Sequence, residues 1–233
     1  MNYILIMPYI GMIFNLFFGV ISTAIFFKRK IKKYRPILIL GILSGISDLL
    51  LLFQDIYHVN STHNLITFTF IEGMLFLFYY YRFFSENNPK SPYLISFYLL
   101  TVVNLVTFIA DYYILAHHQF DPFQRKYLNA FSISIFCTLL AILALLIIIK
   151  KGDQVALVNN SDLFINVAIL IYFFEGLITD SFTFLELYFH PENNKLYFGI
   201  CEALYTISNI SYCILMIVGV LNIKKTEELT IRK

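Results

Sequence analysis

The chain has 233 residues, of which 59% are hydrophobic and 14% charged, with a formal net charge of +2 and a mean hydropathy of +0.73. Soluble domains carry about 45–50% apolar and about 25% charged residues, so one globular core cannot hide this excess. Seven apolar runs of roughly the 20 residues a spanning helix needs leave only tails and short loops, which excludes a soluble domain and any nucleic-acid-binding module.

The runs fall near 3–27, 37–57, 65–84, 93–115, 129–149, 163–187 and 197–222. Helices satisfy the backbone in lipid, and nothing alternates with the period of a barrel strand. The expected fold is an all-α membrane protein, a single seven-helix bundle over 1–233. No basic stretch precedes the first run, so it is read as a retained helix and not as a signal peptide. Its Gly11, Asn15 and Gly19 recur every four residues, a small-residue pattern that lets a neighbour approach closely, with Asn15 as interhelical glue. Six basic residues follow between Lys28 and Arg35. Placing that loop in the cytoplasm brings fourteen of the 17 Lys and Arg there and leaves Arg125, Lys126 and Lys195 outside, which predicts an outer N-terminus and a cytoplasmic C-terminus.

The second span carries a polar stripe of Ser44, Ser47, Asp48 and Asp55. The third holds Glu72 and ends in Tyr79-Tyr80-Tyr81-Arg82, read as an interfacial anchor with a snorkelling Arg. The fourth repeats the stripe with Thr101, Asn104, Thr107 and Asp111, whereas the fifth, FCTLLAILALLIII, has almost no polar residue and is expected to face lipid. On the sixth, Tyr172, Glu175, Thr179, Thr183 and Glu186 share a face. On the seventh, Glu202, Tyr205, Thr206, Asn209 and Tyr212 do the same.

A charge at mid-membrane costs about 2.5–3.5 kcal/mol even on lenient scales, so acids within spans face an interior or a wet cavity. Asp48, Glu72, Glu175, Asp180 and Glu202 lie well within the spans, where no Lys or Arg does. Several carboxylates facing one interior cannot all stay ionised unless water or a cation enters. With Asn209 they are expected to line an acidic, aromatic-rich cavity, open to the outer side, for a small cationic or polar ligand. The alternative for each acid is a neutral hydrogen bond to the surrounding Tyr, Thr and Asn. His117-His118-x-x-Asp121 offers a zinc pattern, although adjacent histidines on a loop rarely point the same way, and no metal or other cofactor is expected. Cys137, Cys201 and Cys213 lie within spans and read as small packing residues.

Asn64 precedes Glu72 by the same interval as Asn194 precedes Glu202, and NLITFTFIEGML overlays NKLYFGICEALY without a gap. Spans one to three and five to seven can thus be laid out as parallel repeats joined by the fourth. That arrangement resembles the repeats of sugar-transporting SWEET proteins, without their Pro-Gln pair. Retinal proteins are excluded because the last span holds no Lys for a Schiff base, and hydrolases of the ceramidase and progestin-receptor type lack their HxxxH pair here. The segments FIEGMLFLFYYYRFF, INVAILIYFFEGL and ALYTISNISYCILMIVGVLNIKK resemble a group of small seven-helix integral membrane proteins widespread in Bacteroidota. The resemblance implies this topology and a bacterial inner-membrane location, and it brings no function or site residues.

The functional expectation is a non-enzymatic binding protein, a sensor or a membrane partner of a signalling or envelope system, because no nucleophile stands with a base and no phosphate loop is present. A small-solute or ion-coupled transporter is the first alternative and an intramembrane hydrolase the second. The bilayer, a small ligand and a membrane protein are the expected partners.

Overall fold

The computed structural model describes the backbone of residues 2–28, 32–57, 62–87, 93–117, 128–151, 160–189 and 194–223. Side chains are described for 9–27, 32–54, 57, 63–87, 96–114, 128–150, 160–179, 200 and 203–223. Among the described residues there are seven helices and no strand. They are α1 (Asn2–Lys28), α2 (Arg35–Ile56), α3 (Thr62–Asn87), α4 (Tyr93–His117), α5 (Leu128–Lys151), α6 (Ser161–Phe189) and α7 (Asn194–Leu221).

Six of them, all but α3, are long and apolar enough to cross a membrane. The exception has a structural reason: α3 is packed along α2, α4 and α5, and its Phe76, Tyr79, Tyr80, Phe83 and Phe84 are buried. A helix packed along three neighbours needs less lipid-soluble surface, so Glu72, Thr and Tyr are tolerated on it. Its 26 residues reach about 39 Å, longer than the roughly 30 Å hydrocarbon layer.

Each helix packs on the next in sequence, and α7 returns to α1, closing a ring. Because α3 also touches α5 directly, α4 is pushed to the outside. That overturns the expectation that the fifth span faces lipid: 44% of the α5 span is buried, against 11% of the α4 span. An all-apolar helix suits either lipid or a core, and here Ala141 and Ala144 are small enough to seat α5 inside. The polar stripe of α4 is a stitch and not a cavity wall. The Asp111 carboxylate accepts the backbone N–H groups of Leu128 at 2.9 Å and Asn129 at 3.0 Å. These belong to the first turn of α5, where N–H groups lack a helical partner, so Asp111 caps α5 from another helix. The Asn129 Nδ2 donates to Asn104 Oδ1 at 2.7 Å and to Thr107 Oγ1 at 2.9 Å, and Asn104 reaches the Phe70 carbonyl at 3.3 Å.

The expected small-residue seam joins α1 to α2. A Cβ on Gly19 would lie 3.0 Å from the Gly41 carbonyl oxygen and 3.4 Å from the Gly45 Cα, so the two backbones touch. At the end of the bundle where α1 passes to α2, Lys33 bridges Asp162 at 2.6 Å and Glu86 at 3.4 Å. The Tyr79 hydroxyl donates to the second Asp162 oxygen at 3.2 Å and receives Asn166 Nδ2 at 3.0 Å. The tyrosine run is therefore not an interfacial anchor as a whole. Tyr79 and Tyr80 are fully buried, and of the three only Tyr81 is exposed.

Candidate functional site

Two cavities meet around the middle of α3. The central cavity, about 190 Å³, lies among α1, α2, α3, α6 and α7. Its polar lining includes Asn15, Ser44, Ser47, Asp48, Glu72 and Asn209. The lateral cavity, about 340 Å³, lies among α3, α5, α6 and α7, with Glu72, Ser134, Glu175 and Thr179 on its walls. Thr69, Glu72, Tyr172 and Tyr205 line both. Among the described residues, no Lys, Arg or His lines either one.

The stripes read from sequence turn inward here because helix periodicity brings residues three and four apart onto one face, and the ring closure points those faces together. On α2, Ser44, Ser47 and Asp48 reach the central cavity; on α7, Tyr205, Asn209 and Tyr212 do. Asp48 is oriented from α1: the Asn15 amide donates to it at 2.8 Å, and the Cys213 thiol donates to the Asn15 oxygen at 2.8 Å. Cys213 is therefore part of the polar lattice and not only a packing residue. Asn15 does act between helices, and its partner is an acid of the site. Gly11 serves the same wall, since a Cβ there would lie 2.9 Å from Asn209 Nδ2. The Gly11, Asn15 and Gly19 spacing carried that signal, but it could be read only as packing until α1 was seen beside both α2 and α7.

Glu72 differs from every other acid described. Its side chain is 7% exposed, and among the described residues no hydrogen bond or ion pair reaches it. Its accessible remnant opens into the two cavities. Glu175 is half-buried and accepts the Thr179 hydroxyl, one turn on along α6. Around them the walls are aromatic: the rings of Tyr172 and Tyr212 lie 4.8 Å apart, and Tyr172 also meets Phe173 edge-on at 5.1 Å. One turn beyond Glu72, Phe76 is fully buried and packs edge-to-face on Phe173, which makes an apolar floor towards the Lys33 end.

Of the six predicted binding residues, the structure brings Asp48, Glu72 and Asn209 to one cavity, and Glu72 with Glu175 to the other. Asp180 on α6 and Glu202 on α7 have backbones in those helices, and their side chains lie outside the described residues. So does the side chain of His117, and His118 and Asp121 lie outside the described residues altogether. Among the described residues no three His, Cys, Asp or Glu side chains gather as a metal cluster. Thr69, Ser134 and Phe68 were not predicted; they become part of the site only because α3 and α5 face it. No family model, no curated protein and no solved structure matches this chain.

Proposed function

We propose that this chain is a seven-crossing, non-enzymatic membrane protein that takes a small cationic ligand into the joined cavities around Glu72, as a sensor or as the membrane partner of a signalling or envelope system. The observation that carries the reading is Glu72, buried, without a partner among the described residues, and on the wall of both cavities. A buried carboxylate without donors is costly, and a cation that pairs with it recovers that cost, so the site favours positive ligands. Among the described residues the lining supplies acceptors and ring faces and no nucleophile paired with a base, which favours binding over turnover. In this reading α3 crosses with the other six, shielded by α2, α4 and α5. The basic run from Lys28 to Arg35 faces the cytoplasm of a bacterium and the N-terminus faces out.

A direct test follows the melting temperature of the purified chain and of Glu72→Gln with sodium, divalent cations and organic amines. At least one cation should raise the melting point of the parent and leave the variant unmoved. A variant that melts lower under every condition, with no additive telling it from the parent, would end this reading. A transporter is the second reading, favoured by the way two cavities with different helix walls share one carboxylate. Liposome flux that depends on Glu72 would establish transport over sensing. Orientation is tested in a variant lacking the native cysteines: a cysteine at Asn60 or Asn193 should label from outside, and one at Asn88 or Asp153 only from inside. Outside labelling at Asn88 would refute seven crossings.

A further inference from the structure

The two cavities offer different things, and the difference bears on the shape of the ligand. The central one presents Asp48 and Glu72 with amide and hydroxyl neighbours, and the lateral one presents Glu175 among Ala130, Phe173 and Gly176. Between them stand the residues common to both, of which Tyr172 and Tyr205 supply the rings. Asp48 and Glu72 line the central cavity and Glu72 and Glu175 the lateral one, so the three carboxylates stand on either side of this shared aromatic wall. Glu72, more than nine-tenths buried, unpartnered among the described residues and lining both cavities, marks that shared wall as a place where a donor is missing.

The chemistry of the walls separates cation classes. A bound metal ion asks for several oxygen ligands converging at about 2.0–2.6 Å. Among the described residues no cluster of three acidic, His or Cys side chains supplies them. An ammonium group needs only hydrogen-bond acceptors, gains further on ring faces, and brings a methylene stem that suits apolar walls. Two carboxylate-bearing cavities that share an aromatic wall fit a molecule with a cation at each end. We propose that the ligand is a linear aliphatic diamine, with one ammonium held between Asp48 and Glu72, the other at Glu175, and the stem passing Tyr172 and Tyr205. The proposal rests on the cation-binding reading above and adds the class and pose of the ligand.

The test is calorimetric titration of the full chain in zwitterionic nanodiscs with 1,4-diaminobutane, n-butylamine and magnesium. The diamine should bind at least about tenfold more tightly than butylamine, since a second charge-assisted contact is worth that much. Glu175→Gln should bring the diamine down to the butylamine level and leave butylamine unchanged, while Glu72→Gln should weaken both. Equal affinity for the two amines, or an equal loss of both in Glu175→Gln, overturns the two-ended pose. Glu72-dependent binding of magnesium with both amines silent overturns the diamine and leaves cation binding standing. The absence of any Glu72-dependent response to a cation removes both. Should Glu72→Gln fail to fold, the ratio of diamine to butylamine affinity in the parent decides alone.

Discussion

Glu72 and Asp162 are equally buried, each 7% exposed, yet the bundle treats them in opposite ways. Asp162 receives Lys33 on one oxygen and the Tyr79 hydroxyl on the other, and its own backbone N–H is capped by Asn160 at 2.9 Å. Glu72, two turns away from Tyr79 on the same face of α3, receives nothing from the described residues and looks into open space. Asp111, 5% exposed, sides with Asp162, since two backbone N–H groups of α5 occupy its oxygens. Burial therefore does not distinguish an acid that holds helices together from one left without a donor among the described residues. The supply of donors does: where the fold brings its own donors the acid holds helices together, and where it brings none the position stays open to something that arrives from outside.

The largest effect should come from the seam that holds the walls of the open region. Gly19→Leu would drive a side chain into the Gly41 carbonyl and the Gly45 backbone, and loss of most folded protein in size-exclusion chromatography is expected. Near-normal yield would show that the central cavity does not depend on α1 touching α2. Next in size, Asp162→Ala leaves Lys33 with only the more exposed Glu86 and should cost about 3 kcal/mol, because a buried charge is left largely unpaired. Lys33→Met combined with Asp162→Leu should recover much of that loss in a double-mutant cycle of unfolding. Without recovery, the pair is not the structural element contrasted here with Glu72. Smaller again, Asp111→Ala uncaps the first turn of α5 and should destabilise by about 2 kcal/mol, read from the unfolding midpoint. The smallest change in ligand-free stability belongs to Glu72→Gln, expected to melt within a degree or two of the parent or above it, since no native contact is removed. A drop as large as that of Asp111→Ala would place Glu72 with the structural acids and erase the contrast.

Much of the site could be read along single helices. Asp48 with Ser44 and Ser47, and Asn209 with Tyr205 and Tyr212, share faces by spacing alone, and those faces do line the central cavity. The same spacing on α4 gave an equally clear stripe whose meaning is different, because Asn104, Thr107 and Asp111 turn to the start of α5 and are used up there. A helical stripe tells which residues point the same way and not what stands opposite. The buried Tyr79 and Tyr80 depart from the interfacial expectation for a related reason: a tyrosine with its polar tip suits a membrane interface and a protein interior equally well, and for Tyr79 it is Asp162 on α6 that decides.

What the sequence determined by itself is the set of helices. Seven apolar runs of membrane length appear as α1 to α7, with observed ends a few residues from those expected, because hydropathy and backbone satisfaction act locally along the chain. Which helix is inside was decided by tertiary structure alone. Apolar α5 entered the core and α4 moved out, since lipid and protein interior are similar solvents for Leu, Ile and Ala, and no local preference separates them. The same packing decided which acids find donors, as hydrogen bonds between helices depend on side chains far apart in the chain: Lys33 and Asp162 are 129 residues apart, and Asn15 and Cys213 are 198. Glu72 became a candidate site through that selection, as the cavity-lining acid that the closed ring left without a donor among the described residues.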